Sequence, residues 1–244
     1  MLIADNRTVL PVEPAISESG GDWRLRAAQA GLDTGFPPDT ATLTSFLVNA
    51  LYLFGGQTLA MADGMPEEVT AKLTRFGHRV RRRNPGALAD RVFLAEIFGG
   101  GSGAESDEAI VDRLRELRRG LRPGGLLGFH ILDRDRAWER TGHRKVTVDG
   151  REARVRVEFD PVRGRLIARA EGGAPDPGIA WSPVSPAASV KAWNLAEMRA
   201  LLRAAGLELE RAYGDWEGGS PGQAAGGRLI IVATRPIKAG RRKR

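Results

Sequence analysis

Two residues near the end of one hydrophobic segment could carry out acid–base chemistry. His130 lies on a segment in which side chains alternate, and Asp133 follows at its end. A histidine can act as a general base, and a nearby carboxylate can orient its ring. The other interpretation is that His130 packs in the core.

Two glycine-containing turns could bring the backbone close to a ligand. Asp63-Gly64 lies between a short hydrophobic run and a predicted helix, and a glycine-rich loop covers residues 98–103. Glycine lets the backbone approach a ligand, and free N–H groups at a helix start can hold an anion. The first turn is therefore a candidate cofactor turn or an ordinary strand-to-helix turn. The second, which begins at Phe98, is either a pocket wall or a flexible connector.

Three more residues could shape a substrate pocket. Trp193 precedes the helix predicted at 195–205, Tyr213 ends a predicted strand and Asp215 lies in the loop that follows it. Packing and loop structure would explain them equally well.

The composition excludes several classes of site. The chain has no cysteine, which rules out disulfides, thiolate metal sites and a cysteine nucleophile, and it has only 3 histidines. We therefore expect no metal site. The longest apolar run, 46–54, is too short to span a bilayer, and the first ten residues lack a secretory pattern. We expect a cytoplasmic protein without a membrane contact.

The positive charge is concentrated at one end. The formal net charge is +7, and residues 235–244 carry six basic side chains and no acid, which leaves +1 for the rest. A basic tail of this kind can attract phosphates. A solvated tail is the simpler interpretation, so nucleic-acid binding ranks low.

The 244 residues are enough for one domain with an elaboration. We predict an irregular leader with a short helix (1–38), a main domain (39–236) and a basic tail (237–244). Strand and helix patterns alternate through the main domain, which indicates an α/β sheet covered on both faces. An alternating polar and apolar stretch at 146–170 indicates an antiparallel meander. A helix is predicted to run from Thr40 to Phe54, with Asp39 or Thr40 as its cap.

Four segments, taken in order, resemble one family. Residues 116–127 (ELRRGLRPGGLL) join a helix, an Arg-Pro-Gly-Gly turn and a strand, and 190–207 (VKAWNLAEMRALLRAAGL) lead into the next helix. Residues 213–218 (YGDWEG) and 228–233 (RLIIVA) look like a closing hairpin. Together they resemble the class I S-adenosylmethionine (SAM) dependent methyltransferases of the small-molecule type, over roughly residues 40–236.

This resemblance implies a doubly wound, Rossmann-like methyltransferase sheet, mostly parallel with an antiparallel last strand. It also implies a small antiparallel lid insertion at about 144–189.

The half of the chain that would hold SAM departs from the family pattern. The family's first strand ends in an acid and a glycine-rich turn, and here the acid aligns with Ala60 and the glycines with Ala62, Gly64 and Pro66. The acid that would bind the ribose hydroxyls aligns with about Asn84. The resemblance leaves as residual cofactor contacts Asp63, Gly64, Asn84, Glu96 and Phe98.

The chain is also too short for part of the family's sheet. A strand–helix–strand unit takes roughly 30 residues, and only eleven separate Val80 from Val92. We therefore expect one parallel strand to be missing, together with its helix. The strand at 78–82 would then be an open edge that favours a protein partner or a homo-oligomer.

Three hypotheses follow from these features. The first is a pseudoenzyme: a methyltransferase fold with a degraded SAM site, or no cofactor at all, that serves as a partner or scaffold subunit. The second is an active SAM-dependent transferase that methylates a small molecule through a divergent cofactor loop. The third is a nucleic-acid-binding protein, which rests on tail charge alone.

Overall fold

A computed structural model describes residues 20–32, 39–61, 65–84, 87–97, 100–101, 106–148, 150–171, 187–222 and 227–237. The helices are α1 (Gly20–Leu32), α2 (Thr40–Ala50), α3 (Glu67–Arg75), α4 (Asp107–Arg119) and α5 (Leu195–Ala204), with a 3-10 helix over Arg134–Arg140. The strands are β1 (Thr58–Met61), β2 (Arg79–Arg82), β3 (Ala89–Ile97), β4 (Gly100–Gly101), β5 (Leu121–Asp133), β6 (Gly142–Val148), β7 (Arg151–Asp160), β8 (Arg165–Glu171), β9 (Ala187–Trp193), β10 (Glu208–Tyr213) and β11 (Arg228–Thr234).

The central sheet has the strand order β2-β1-β3-β5-β11-β10. Its first four strands are mutually parallel. β11 runs antiparallel to β5, and β10 runs antiparallel to β11. A mostly parallel sheet with an antiparallel closing hairpin confirms the predicted fold class.

β2 forms one edge of this sheet in the part of the chain that the structure describes. It ends at Arg82, and β3 begins at Ala89. The described residues between these strands form neither a helix nor a strand. Among the described residues, the predicted absence of one parallel strand is confirmed.

Helices cover both faces of the sheet through two hydrophobic clusters. On one face α2 and α3 pack on the sheet, and on the other α4 and α5 do so. The buried side chains of α4 recur at helical spacing. They are Ile110, Val111, Leu114 and Leu117.

The strands β6, β7, β8 and β9 form an antiparallel unit. β9 also pairs with the end of β5, so this unit extends the central sheet. The meander predicted at 146–170 is thus present, and its first strand begins at Gly142. α1 packs against these strands, and a Cβ at Gly31 would approach Val155 Cγ1 to 2.5 Å. Only glycine permits that approach, so α1 is packed closely onto this antiparallel unit.

The predicted end of α2 is wrong. α2 ends at Ala50 instead of continuing to Phe54, whose side chain is 68% exposed. Tyr52 has a φ of 48°, and the N–H of Leu53 donates to the carbonyl of Val48, so the chain turns away from the helix axis. Pro66 is the N-cap of α3.

Candidate functional site

A cleft of about 450 Å³ lies between one flank of α2 and the segment that follows β10. Its volume falls in the range of small-molecule pockets. The residues that line it are Ala41, Thr42, Ser45, Phe46, Asn49, Ala50, Tyr213, Trp216, Glu217 and Gly218.

Three aromatic rings form the apolar wall of the cleft. The ring of Phe46 meets those of Tyr213 and Trp216 edge-on, with centroid distances of 5.3 Å and 5.2 Å. Edge-to-face pairs at this separation are favourable. Phe46 therefore fixes the α2 side of the cleft against the segment after β10.

Trp216 links the cleft to the sheet. Its ring lies 5.7 Å from His130 and 6.3 Å from Phe93, and the guanidinium of Arg228 lies 5.4 Å from it. The side chain is only 4% exposed. Its Nε1 donor is buried and has no hydrogen-bond acceptor in the part of the chain that the structure describes.

The start of α2 is held by its cap. Asp39 accepts hydrogen bonds from the backbone N–H of Thr42 at 2.7 Å and from its hydroxyl at 2.8 Å. These bonds, the backbone one first, lower the pKa of Asp39. Helical spacing then places Thr42, Ser45, Phe46 and Asn49 on one flank. The prediction that Asp39 or Thr40 caps the helix is confirmed for Asp39.

The segment after β10 is shaped by Asp215. Its carboxylate accepts hydrogen bonds from the N–H groups of Glu217 at 3.0 Å and Gly219 at 2.6 Å. Gly214 donates to the carbonyl of Gly219 and closes the turn. Asp215, predicted as a substrate residue, is thus the residue that positions Trp216 and Glu217 and is absent from the cleft lining.

The charge of the cleft is set at its rim. Glu217 is exposed and is the only Asp, Glu, Lys or Arg among the lining residues. Just outside, Arg211 lies 5.0 Å over the ring of Tyr52. Its hydrogen bond with the side chain of Tyr213 raises the pKa of Arg211.

The two predicted acid–base residues both lie on β5, three positions apart. His130 pairs in register with Ile230, and Ile230 pairs with Tyr213. His130 therefore lies in the same cross-strand row as Tyr213, which lines the cleft. Residues three apart on a strand project from opposite faces. Asp133 accepts a hydrogen bond from the N–H of Asp135 at 3.1 Å and caps the 3-10 helix. Burial raises the pKa of Asp133.

Trp193, predicted to bind substrate, lies elsewhere. Its side chain is 2% exposed and belongs to the cluster under α4 and α5. The ammonium of Lys191 lies 5.6 Å from its ring. Of the three predicted substrate residues, only Tyr213 lines the cleft. Sequence reasoning missed Phe46, Asn49 and Trp216, although the phenylalanine and asparagine share helical spacing with Thr42.

Of the predicted cofactor residues, the structure describes the side chain of Asn84 alone. Asp63, Gly64 and Phe98 lie outside the described residues, as does the side chain of Glu96 on β3. Asn84 is exposed beyond the end of β2, and its carbonyl accepts a hydrogen bond from the N–H of Ala87.

The ends of β1 and β2 carry little that suits a ribose. Ala60, at the position of the family's acid, is 2% exposed and belongs to the cluster under α4. Arg83 follows β2 and forms an ion pair with Glu116 of α4 at 2.7 Å. The residues described at these strand ends therefore do not fit SAM.

The described residues contain no group of three or more His, Asp or Glu side chains that could hold a metal ion. None of the described helices combines the length and apolar character needed to cross a membrane.

Comparison with known proteins identifies the fold. No protein-family profile and no curated protein matches the sequence. The sugar N-methyltransferase KedS8 from a Streptoalloteichus species is structurally similar, with a TM-score of 0.54 and 15% identity over 96% of this chain and 99% of that one. The chain has the class I methyltransferase fold.

Two more methyltransferases share this fold with the chain. A SAM-dependent methyltransferase from Clostridium acetobutylicum has a TM-score of 0.54 and 10% identity, covering 82% of this chain and 93% of its own. The CcbJ methyltransferase from Streptomyces caelestis has a TM-score of 0.51 and 21% identity, covering 83% and 97%. At these identities the methyltransferase fold is established, and the reaction is not.

Proposed function

We propose that this protein is a non-catalytic methyltransferase-like subunit that supports a partner protein. The observation that carries the proposal is the chemistry at the ends of β1 and β2. There Ala60 is buried in the hydrophobic cluster, and Arg83 is paired with Glu116. In the family that the chain resembles, a carboxylate accepts from both ribose hydroxyls at this point, whereas Asn84 offers one neutral acceptor and Arg83 can only donate.

The open edge of the sheet supports the same proposal. Without a strand beyond β2, the adenine of a bound SAM would lack a wall on that side. The N–H groups of Arg79 and Arg83 donate to β1, to the carbonyls of Gln57 and Met61. Because backbone groups alternate along a parallel strand, those of Val80 face outward. We expect this edge to accept an added strand from a partner or from a second copy.

An active SAM-dependent methyltransferase acting on a small molecule is the second candidate. The cleft beside α2 favours it, because a scaffold subunit has no need of a small-molecule pocket. The three similar structures are all named methyltransferases. In that case the cofactor loop would be a divergent one, and positioning of the substrate would supply most of the catalysis.

Titration with SAM and S-adenosylhomocysteine separates the two candidates. We expect no heat of binding in calorimetry and no change in the melting temperature. A ligand present at about 100 times its Kd stabilises a protein by about 2.7 kcal/mol. For a chain of this length that raises Tm by roughly 5–11 °C. The Clostridium acetobutylicum enzyme is the positive control.

A matched variant sharpens this test. Asn84→Asp supplies a carboxylate after β2, and we expect it to leave SAM binding undetectable because the remaining ribose and adenine contacts are missing. Micromolar binding of SAM by the wild-type chain would contradict the proposal and favour the active enzyme.

A further inference from the structure

The open edge of the sheet carries an excess of positive charge. β2 is a strand of 4 residues, of which Arg79, Arg81 and Arg82 are basic and none is acidic. The last turn of α3, which leads into β2, carries Lys72 and Arg75, whereas the acids of that helix lie in its first turn. The edge strand and the helix end beside it therefore present one sign of charge.

Two of these basic side chains have no acidic partner. Arg75 and Arg79 are exposed, and neither forms an ion pair with any residue in the part of the chain that the structure describes. The carboxylates of the neighbouring elements are already engaged. Glu116 of α4 pairs with Arg83, and Asp90 of β3 pairs with an arginine of β5. The charge of Arg75 and Arg79 is therefore left for another molecule to neutralise.

Side-chain alternation distributes the arginines of β2 over both faces of the sheet. Val80 packs against the hydrophobic cluster under α2 and α3, and Arg82, two positions along the strand, shares that face. Arg79 lies on the other face, as does Arg83, which reaches Glu116 of α4. A strand added beside β2 would thus meet a basic side chain on each of its own faces.

Two exposed phenylalanines lie at the start of the same edge. Phe54 is 68% exposed and Phe76 is 63% exposed. Their turns are neighbours, because the N–H of Gly56 donates to the carbonyl of Gly77 at 3.1 Å. Aromatic side chains are enriched where proteins meet one another. They give an added strand apolar surface to cover next to the arginines.

The charge of β2 distinguishes between two occupants of this edge. If β2 of a second copy paired with it, arginines would face arginines across the new ladder, and like charges directly opposite one another destabilise a sheet. A segment rich in aspartate or glutamate would form opposite-charge pairs at the same positions. The edge therefore favours an acidic strand over a second copy of itself.

The backbone of β2 distinguishes a polypeptide from a nucleic acid. The N–H and C=O of Val80 both face outward, and a paired strand satisfies both of them. A phosphodiester can accept the N–H bond, but it has no donor for the carbonyl. Polypeptide backbone carries both groups, so it is the better match to this edge.

We propose that the β2 edge binds an acidic, extended segment of a partner protein, which adds to the sheet as a further strand. Its backbone pairs with Val80, its carboxylates face Arg79 and Arg82, and its apolar side chains cover Phe76. This inference rests on the partner of the proposed function and deepens it by naming the chemistry of that partner.

Four labelled probes separate the contributions in fluorescence anisotropy with the full chain. The first is a short peptide of alternating glutamate and valine, and the second replaces each glutamate by lysine. The third is the acidic peptide with every backbone nitrogen methylated, which keeps the charge and removes the donors. The fourth is oligothymidine. We expect the acidic peptide to bind about tenfold or more tightly than each of the others, and its affinity to fall with added salt.

One substitution and a matched control assign the charge contact. Arg79→Glu should weaken binding of the acidic peptide about tenfold and strengthen binding of the lysine peptide. Because Arg79 is exposed and makes no ion pair with a described residue, this variant should fold. Arg199→Glu makes the same charge change at an exposed position of α5, which packs beside β10 at the opposite end of the sheet, and should leave both affinities unchanged.

The outcomes decide between an added strand and simple charge attraction. Absence of binding by the acidic peptide overturns the proposal, and so does undiminished binding by its methylated form or unchanged affinity in Arg79→Glu. Tighter binding of oligothymidine would overturn it in favour of a nucleic acid. A failure here leaves the non-catalytic role standing, since SAM titration tests that role. Binding of both SAM and the acidic peptide would refute the non-catalytic role and keep the strand site.

Discussion

Gly128 is the point at which the central sheet should be most sensitive to an added methyl group. It pairs in register with Phe93 on β3 and with Val232 on β11. A Cβ at this position would lie 2.8 Å from Phe93 Cδ2 and 3.1 Å from Leu51 Cδ2. Carbon atoms pack at about 3.5–4.0 Å, so both neighbours would have to move by several tenths of an ångström or more.

Neither neighbour has free space to move into. Phe93 and Leu51 are fully buried, and the ring of Phe93 also packs near Trp216. Overpacking of this kind costs about 1–3 kcal/mol. We therefore expect Gly128→Ala to reduce the free energy of unfolding by that amount, measured by urea denaturation with linear extrapolation.

A second substitution and a control make the Gly128 test specific. Phe93→Leu removes ring atoms next to the new methyl, so the double variant should be less destabilised than the sum of the singles by about 0.5 kcal/mol or more. Gly120→Ala should be stabilising by about 0.4–1 kcal/mol, because Gly120 has helical dihedrals and its nearest neighbour is Leu117 O at 3.4 Å. A Gly128→Ala variant as stable as wild type would refute the packing argument.

Two further predictions concern a buried acid and the open sheet edge. Because burial raises the pKa of Asp133, its contribution to stability is fully present below its ordinary pKa of 3.8 and is lost as pH rises through the raised value. Relative to Asp133→Asn, the wild type should lose stability in urea unfolding as the pH rises above 3.8, and a pH-independent difference would contradict this. For the edge, Val80→Pro removes an outward N–H and leaves the bonds to β1, so it should weaken association in sedimentation velocity whereas Val80→Ala should weaken it less. A wild-type chain that stays monomeric and captures no partner would leave the edge without that role.

Hydrophobic periodicity predicted the elements whose buried residues follow a regular spacing along the sequence. α4 and α5 carry regular apolar stripes, and β1 and β11 are short hydrophobic runs. The end of α2 could not be predicted in this way, because it depends on the positive φ of Tyr52 rather than on hydrophobicity. Phe54 continues the apolar spacing and is nevertheless exposed.

The candidate site was less predictable because it is made by tertiary contact. Phe46 fits a core stripe, and nothing in its spacing shows that its ring meets Tyr213 and Trp216 from the far end of the chain. Asp215 is conspicuous in the sequence as an acid in a glycine-rich loop. The structure assigns it to holding that loop, a role that depends on backbone N–H groups.

The shortened connection between β2 and β3 explains why the two halves of the sheet differ. With no strand beyond β2, α4 lies close enough for Glu116 to pair with Arg83, while Ala60 of β1 joins the cluster beneath α4. A half-exposed ion pair adds little stability, so hydrophobic burial is what holds this end together. Glu116, a carboxylate beside the end of β2, is thus paired within the fold. The cleft lies beside α2, where Phe46 and Trp216 belong to the hydrophobic cluster on the face of the sheet opposite to Ala60.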